Sequence, residues 1–91
     1  MADIRIERKH GKSKQDAMVT VMKIAERARD KANVEFTVRG DVIDLERSGG
    51  KARLTVTDDS VLLEVTLPFL LKPMRSVIEG KVDEYFERYF K

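Results

Sequence analysis

Between Val34 and Leu67, apolar and polar residues alternate in four short runs, and a turn-forming pair or triplet separates each run from the next. The turns are Gly40-Asp41, Ser48-Gly49-Gly50 and Asp58-Asp59-Ser60. Alternation with a period of two is typical of strands that have one buried and one solvated face, and short turns join antiparallel neighbours. This stretch therefore predicts a four-stranded antiparallel meander with one apolar face.

Residues 3–8 and 13–31 place a further strand and a helix before this meander. In residues 3–8, apolar side chains alternate with polar ones, which predicts a half-buried strand. In residues 13–31, apolar side chains recur every three or four positions, as in an amphipathic helix. Ser13 stands three residues before Asp16 in an approximate capping box, and Asn33 is a suitable stop signal.

The tail after Pro68 changes from strand to helix periodicity and completes the fold. We expect a second helix to begin between Leu70 and Pro73, because proline is tolerated in a first turn. Both helices must cover the same side of the sheet, since only one side is apolar. The order β-α-β-β-β-β-α therefore predicts an α+β fold, a single antiparallel sheet with two helices packed on one face. The predicted apolar stripe of the second helix consists of Met74, Val77, Ile78, Val82, Tyr85, Phe86 and Tyr89.

The alternation also assigns every second strand residue to the core. The side chains expected to face the helices are Ile4, Ile6, Phe36, Val38, Ile43, Leu45, Leu54, Val56, Leu63 and Val65. A register shifted by one residue would bury the charged side chains and expose these, so burial tests the assignment.

Length and composition limit the classes of protein to which this chain can belong. With 91 residues, the chain is expected to form one domain over residues 1–91. Its 18 basic and 16 acidic residues leave a net charge of +2, which gives no global attraction to nucleic acid or to an anionic membrane. The absence of cysteine excludes disulfides, thiolate catalysis and cysteine-ligated zinc. We expect a cytoplasmic bacterial protein, because no signal peptide or transmembrane segment is evident.

A basic cluster surrounds the first turn and is the candidate anion-binding site. It consists of Arg8, Lys9, Lys12 and Lys14. With the N-terminus of the first helix close by, it could hold phosphate, and it leaves open a nucleic-acid- or ribosome-binding module. We favour a solvated loop and expect no specific nucleic-acid binding, because aromatic side chains that could stack on bases are missing nearby. His10, the only histidine, is flanked by lysine-rich sequence and is expected to be structural.

No catalytic, cofactor-binding or metal-binding set of residues is evident, so an enzyme is the least supported class. Charged residues on the outer face of the sheet are expected to form cross-strand ion pairs instead of a cleft with perturbed carboxylates. Asp58-Asp59 alone is a weak signal for a divalent cation.

Six residues of the C-terminal tail are the candidate contacts with a partner or a hydrophobic surface. They are Phe69, Leu70, Tyr85, Phe86, Tyr89 and Phe90. Aromatic residues are enriched in interfaces, but the same residues would also complete a small core, and both interpretations stay open. The first interpretation predicts a homodimer or a comparable hydrophobic association. Gly80 weakens this helix by about 1 kcal/mol relative to alanine, unless the first helix or a second subunit packs closely against it.

Several short motifs resemble one family of small bacterial proteins. They are Met1-Ala2-Asp3-Ile4, Arg47-Ser48-Gly49-Gly50, Leu67-Pro68-Phe69-Leu70-Leu71 and Ile78-Glu79-Gly80. Over nearly its whole length the chain resembles the polyhydroxyalkanoic acid system family, found beside genes for polyester storage granules. The resemblance implies an association with polyhydroxyalkanoate metabolism and supplies no catalytic residues. The element order is also similar to a reduced helix-grip fold, in which a long C-terminal helix packs across a curved sheet.

These observations favour a non-enzymatic accessory protein of the polyhydroxyalkanoate system. It would bind a granule, a granule-coat protein or a second copy of itself through the C-terminal helix. Two alternatives remain: a nucleic-acid- or ribosome-binding module that uses residues 8–14, and a carrier of an apolar small molecule. For the carrier, a large enclosed cavity is not expected in a chain of this size.

Overall fold

The computed structural model describes residues 2–90, which form one five-stranded sheet with helices on one face. The elements in chain order are β1 (Ile4–Lys9), α1 (Lys14–Ala32), β2 (Glu35–Arg39), β3 (Val42–Arg47), β4 (Gly50–Val56), β5 (Ser60–Thr66), a 3₁₀ segment (Phe69–Met74) and α2 (Arg75–Tyr89). The strands lie in the order β1-β5-β4-β3-β2, and every neighbouring pair is antiparallel. The predicted fold class and element order are confirmed.

Two-residue turns fix the register of the meander. The β2–β3 turn has Gly40 at a φ of 59°, and the β3–β4 turn has Gly49 at a φ of 86°. Positive φ angles in such turns match the right-handed twist of the flanking strands. Inward side chains therefore meet across the strands, so that Leu54 lies between Ile43 and Leu63.

Local signals set both ends of α1. The Ser13 hydroxyl accepts a hydrogen bond of 3.1 Å from the Asp16 N–H, and Asn33 ends the helix in the left-handed conformation at a φ of 56°. Small and β-branched side chains form the buried stripe, which lets the helix lie close to β2, β3 and β4. The buried residues of α1 are Ala17, Val21, Ile24 and Ala25.

Burial confirms the predicted strand register. Of the side chains expected to face the helices, the buried ones are Ile4, Ile6, Ile43, Leu45, Leu54, Val56 and Leu63. Phe36 and Val65 are partly buried. Val38 differs from the prediction and is 42% exposed, because it lies on β2 at the edge of the sheet.

The C-terminal half of α2 belongs to the core. Phe86 is only 2% exposed and Phe90 only 8%, and their rings pack edge to face with centroids 5.0 Å apart. Of the two interpretations left open for these side chains, their burial supports the core. The helix α2 covers β1, while α1 covers β2, β3 and β4 on the same face of the sheet.

The first turns of α2 differ from the predicted stripe. Met74 and Val77 are about half exposed, although helical spacing assigns them to the core. The 3₁₀ segment ahead of α2 has three residues per turn instead of 3.6 and changes the phase of the apolar side chains.

Replacing Phe86 with alanine tests its role in the core. Loss of a buried aromatic side chain is expected to lower the free energy of unfolding by about 3–5 kcal/mol, measured by urea denaturation. Val77→Ala is the matched control on the same helix and should change that free energy by less than about 0.5 kcal/mol, because Val77 is exposed. A small effect of Phe86→Ala would contradict the core assignment.

Replacing Gly80 with alanine is expected to stabilise the protein, in contrast to the replacement of Phe86. A Cβ atom at this position would meet no atom within 4 Å, so close packing of α1 does not explain the glycine. Gly80→Ala is expected to raise the free energy of unfolding by up to about 1 kcal/mol in the same urea assay. Gly40→Ala, at a positive φ, should lower it instead.

Candidate functional site

An apolar ridge runs along the 3₁₀ segment into the first turns of α2. Its side chains are Phe69, Leu70, Leu71, Met74 and Val77. Phe69 is 82% exposed and Leu70 is 86% exposed, so both are almost fully in water. Within residues 2–90, the other large apolar side chains that are exposed, Val19 and Val38, lie singly on α1 and β2. Single exposed apolar residues are ordinary, whereas several within one short segment are uncommon, which makes the ridge the candidate functional site.

The backbone around the two prolines produces the ridge. The chain leaves the sheet at Pro68, and the Leu71 N–H donates to the Pro68 carbonyl oxygen at 2.9 Å, which closes a 3₁₀ turn. Three residues per turn point the consecutive side chains of Phe69, Leu70 and Leu71 in different directions. They consequently cannot all face the core.

An ion pair with β1 holds the base of the ridge. The Asp3 carboxylate accepts a hydrogen bond of 2.8 Å from the Leu67 N–H, and both its oxygens lie 3.0 Å from the Lys72 ammonium. The Leu67 N–H and the Lys72 ammonium hold the pKa of Asp3 below its usual range. The N-terminal strand thus fixes the point where the 3₁₀ segment leaves the sheet.

A second ion pair ties β1 to α2. The Arg8 guanidinium binds the Asp83 carboxylate and lies 3.7 Å from the Glu87 carboxylate, one turn further along the helix. Arg8 is partly buried, so its charge serves to attach α2.

An apolar groove of about 390 Å³ adjoins the ridge. Its floor is the inward side of Leu45, Ala52 and Val65 on adjacent strands, and Leu71 forms part of its wall. Ala52 is only partly buried, so the helices cover this part of the sheet incompletely. Because the groove is open to solvent and shares Leu71 with the ridge, the two form one surface.

The remaining residues of the basic cluster do not converge on a common site. Lys14 lies 2.6 Å from the Asp41 carboxylate and Lys9 lies 3.7 Å from that of Asp59. The Lys12 ammonium lies 5.9 Å from the centre of the Phe90 ring. Acidic side chains of the same chain lie beside Arg8, Lys9 and Lys14, and anion binding at this cluster stays a prediction.

His10 is buried and structural. Its Nε2 lies 3.0 Å from the Thr57 carbonyl oxygen, and its Nδ1 accepts from the Lys12 N–H at 3.1 Å. One nitrogen must donate and the other accept, which corresponds to a neutral ring protonated on Nε2. The histidine therefore joins the β1–α1 turn to the end of β4.

Tyr85 and Tyr89 are partly buried and lie away from the ridge on α2. Their ring centroids are 5.2 Å apart. Burial, helped by the neighbouring Tyr89, raises the pKa of Tyr85 to about 12, so its phenol stays protonated at neutral pH. Of the six predicted contact residues, only Phe69 and Leu70 are therefore largely exposed.

The ridge also contains residues outside the predicted contact set. Leu71, Met74 and Val77 complete it. The sequence signal for them is Pro73, which lacks an N–H and interrupts the helical ladder near Met74.

The outer face of the sheet carries the expected ion pairs, and they lie in a shallow depression of about 290 Å³ lined by Glu35, Glu46 and Arg53 among others. The Asp44 carboxylate accepts from Arg53 at 2.8 Å and also binds Arg39, and these two cations hold the pKa of Asp44 below its usual range. Among residues 2–90, no group of three or more histidine, aspartate or glutamate side chains is arranged to hold a metal ion. None of the helices in that range combines the length and the apolar character needed to cross a bilayer.

Fold and surface define a small two-layer α+β protein whose most prominent surface feature is an apolar ridge. The model of one protein family, described as "putative polyhydroxyalkanoic acid system protein", matches residues 4–90. The chain belongs to this family. Neither the curated proteins nor the solved structures contain a significant match.

The depressed pKa of Asp3 predicts a loss of stability in acid. The unfolded chain takes up protons near its ordinary aspartate pKa of about 3.9, whereas folded Asp3 resists protonation. The stability that Asp3 contributes is therefore complete above about pH 4 and is lost as the pH falls through the lower folded value. In urea unfolding between pH 7 and pH 2, the difference between the parent and Asp3→Asn should shrink with acidification. Asp58→Asn, in an exposed turn, is the matched control for the removal of one carboxylate.

Proposed function

We propose that this chain is a non-enzymatic accessory protein of the polyhydroxyalkanoate system that binds the apolar granule surface through its ridge. The observation that carries the proposal is the high exposure of Phe69 and Leu70, two consecutive residues at the start of the ridge. Membership of the polyhydroxyalkanoic acid system family supports the biological setting. The open groove beside Leu71 adds apolar area to the same surface.

The strength of such binding follows from the area that the ridge can bury. Burying one leucine or phenylalanine side chain yields about 1.5–3 kcal/mol, so Phe69 and Leu70 together give roughly 3–6 kcal/mol before the costs of association. Those costs amount to several kcal/mol, which makes the attachment of a single copy weak and reversible. Firm attachment would need several copies or a granule-coat protein that binds alongside.

The test is co-sedimentation with polyester particles. The purified full chain is mixed with protein-free polyhydroxyalkanoate particles and, separately, with native granules that keep their coat proteins. The parent should bind the bare particles weakly and the native granules better. The double variant Phe69→Ser, Leu70→Ser should lose most of the bound fraction, while its circular dichroism spectrum and urea midpoint stay near those of the parent.

Val19→Ser is the matched control, because it also removes one exposed apolar side chain but lies on α1. It should bind like the parent. If the folded double variant binds as well as the parent, the ridge is not the docking surface. Binding to native granules alone would assign the contact to a coat protein instead of the polymer.

The nucleic-acid alternative gains nothing from the structure. Arg8, Lys9 and Lys14 are engaged by acidic side chains of the same chain. The absence of specific, salt-sensitive nucleic-acid binding stays a prediction.

A further inference from the structure

The edge strand β2 is open to solvent on its outer side. It ends the sheet, and of its five residues only Phe36 is partly buried. Arg39 and Val42 flank a two-residue turn and form the first hydrogen-bonded pair with β3. Because antiparallel pairs alternate, the backbone N–H and C=O groups of Phe36 and Val38 point away from β3. No hydrogen bond within residues 2–90 satisfies these groups.

This edge has only part of the usual protection against pairing. Natural edge strands are commonly blocked by proline, charged residues or a bulge, and here the only charged residues are Glu35 and Arg39 at the two ends of the strand. The strand reads Glu35-Phe36-Thr37-Val38-Arg39, and its register with β3 is unbroken. An exposed, regular and partly apolar edge is a template for another strand.

We propose that β2 pairs antiparallel with β2 of a second copy of this chain, about a two-fold axis at Thr37. The outward groups of Phe36 and Val38 permit three symmetric registers, centred on Phe36, Thr37 or Val38. Centred on Thr37, the pairing places Phe36 opposite Val38 of the second copy, and Glu35 opposite Arg39. Two antiparallel copies of the strand thus place apolar residues across from apolar residues, and each negative charge across from a positive one.

Charge favours this register over the other two. A two-fold axis at Phe36 places Glu35 across from Thr37 of the second copy. Neither Glu35 nor Arg39 would then face a residue of opposite charge. A centre at Val38 places Glu35 opposite Asp41 of the second copy, a repulsive pair. The register centred on Thr37 instead forms two Glu35–Arg39 pairs, one on each side of the axis, as in an isologous interface.

Within a single chain, Glu35 also lies near a like charge, so a nearby cation would stabilise it. On the outer face it lies directly opposite Glu46 of β3, and no ion pair to Glu35 occurs within residues 2–90. Arg39 already binds Asp44 on the same face. Arg39 of the second copy would offset the repulsion between the two glutamates. On the inner face, Val38 already lies opposite Ile43 but is 42% exposed, and Phe36 of the second copy would cover it from the other side.

Single cysteines read out the register directly, because the chain has no cysteine of its own. Opposed residues of a non-hydrogen-bonded antiparallel pair lie about 4.5 Å apart at Cα, within the range of a disulfide. Under mild oxidation Thr37→Cys should therefore form a covalent dimer quickly, whereas Phe36→Cys, Val38→Cys and the control Gln15→Cys should not. Preferential cross-linking of Phe36→Cys or Val38→Cys would overturn the register. Thr37→Cys that links no faster than Gln15→Cys would overturn the pairing.

Charge reversal tests the same interface without a cross-link. Sedimentation of the parent over a concentration series should show a dimer. Glu35→Arg alone and Arg39→Glu alone each place like charges opposite one another twice per dimer and should raise the dissociation constant about tenfold. The double variant Glu35→Arg, Arg39→Glu should restore the parental value, which an effect on monomer stability would not do.

A parent protein that stays monomeric up to high micromolar concentration would overturn the proposal. A double variant whose dissociation constant is as high as that of either single variant would also overturn it. Circular dichroism of each variant confirms that the monomer is folded. The ridge variants leave β2 unchanged, so the granule assay and the dimer assay can fail independently.

Discussion

The antiparallel pairing of β1 with β5 is the contact on which the C-terminal third of the molecule depends. It places Ile4 opposite Val65 and brings Asp3 within reach of the Leu67 backbone and the Lys72 ammonium. On the same strand, Arg8 reaches the acidic side of α2. Without β1, neither the 3₁₀ segment nor α2 would have a polar anchor. The exposure of the ridge therefore depends on the pairing of β1 with β5.

Alternation and turn chemistry suffice to predict the sheet, because side chains of a strand have only two directions and one of them is apolar here. The helical tail was harder to predict. Phe69 and Phe86 have the same side chain, yet one is in water and the other in the core. Whether each phenylalanine is exposed or buried depends on the phase change in the 3₁₀ segment and on Arg8. The partner of Arg8, Asp83, lies 75 residues away in sequence. Periodicity within one segment contains no information on such contacts.

The two proposed surfaces are formed by different segments and complement each other. The ridge follows β5, whereas the dimer contact is the free edge of β2. Pairing through β2 would leave both ridges of a dimer free. A bivalent particle binds a surface more firmly than one copy, because the second contact forms at a high effective concentration. This offsets the weakness expected for a single ridge of two highly exposed side chains.

The strand order has a consequence for the path of folding. β2, β3, β4 and β5 are joined by short turns, so their pairing closes only small loops and is entropically cheap. β1 finds β5 only after a loop of roughly fifty residues, including α1, has closed, and long-range pairing of this kind is slow. We therefore expect the meander to assemble first, with β1 docking late. Until β1 arrives, α2 has no strand to cover, so the aromatic end of α2 is the last part of the core to leave water.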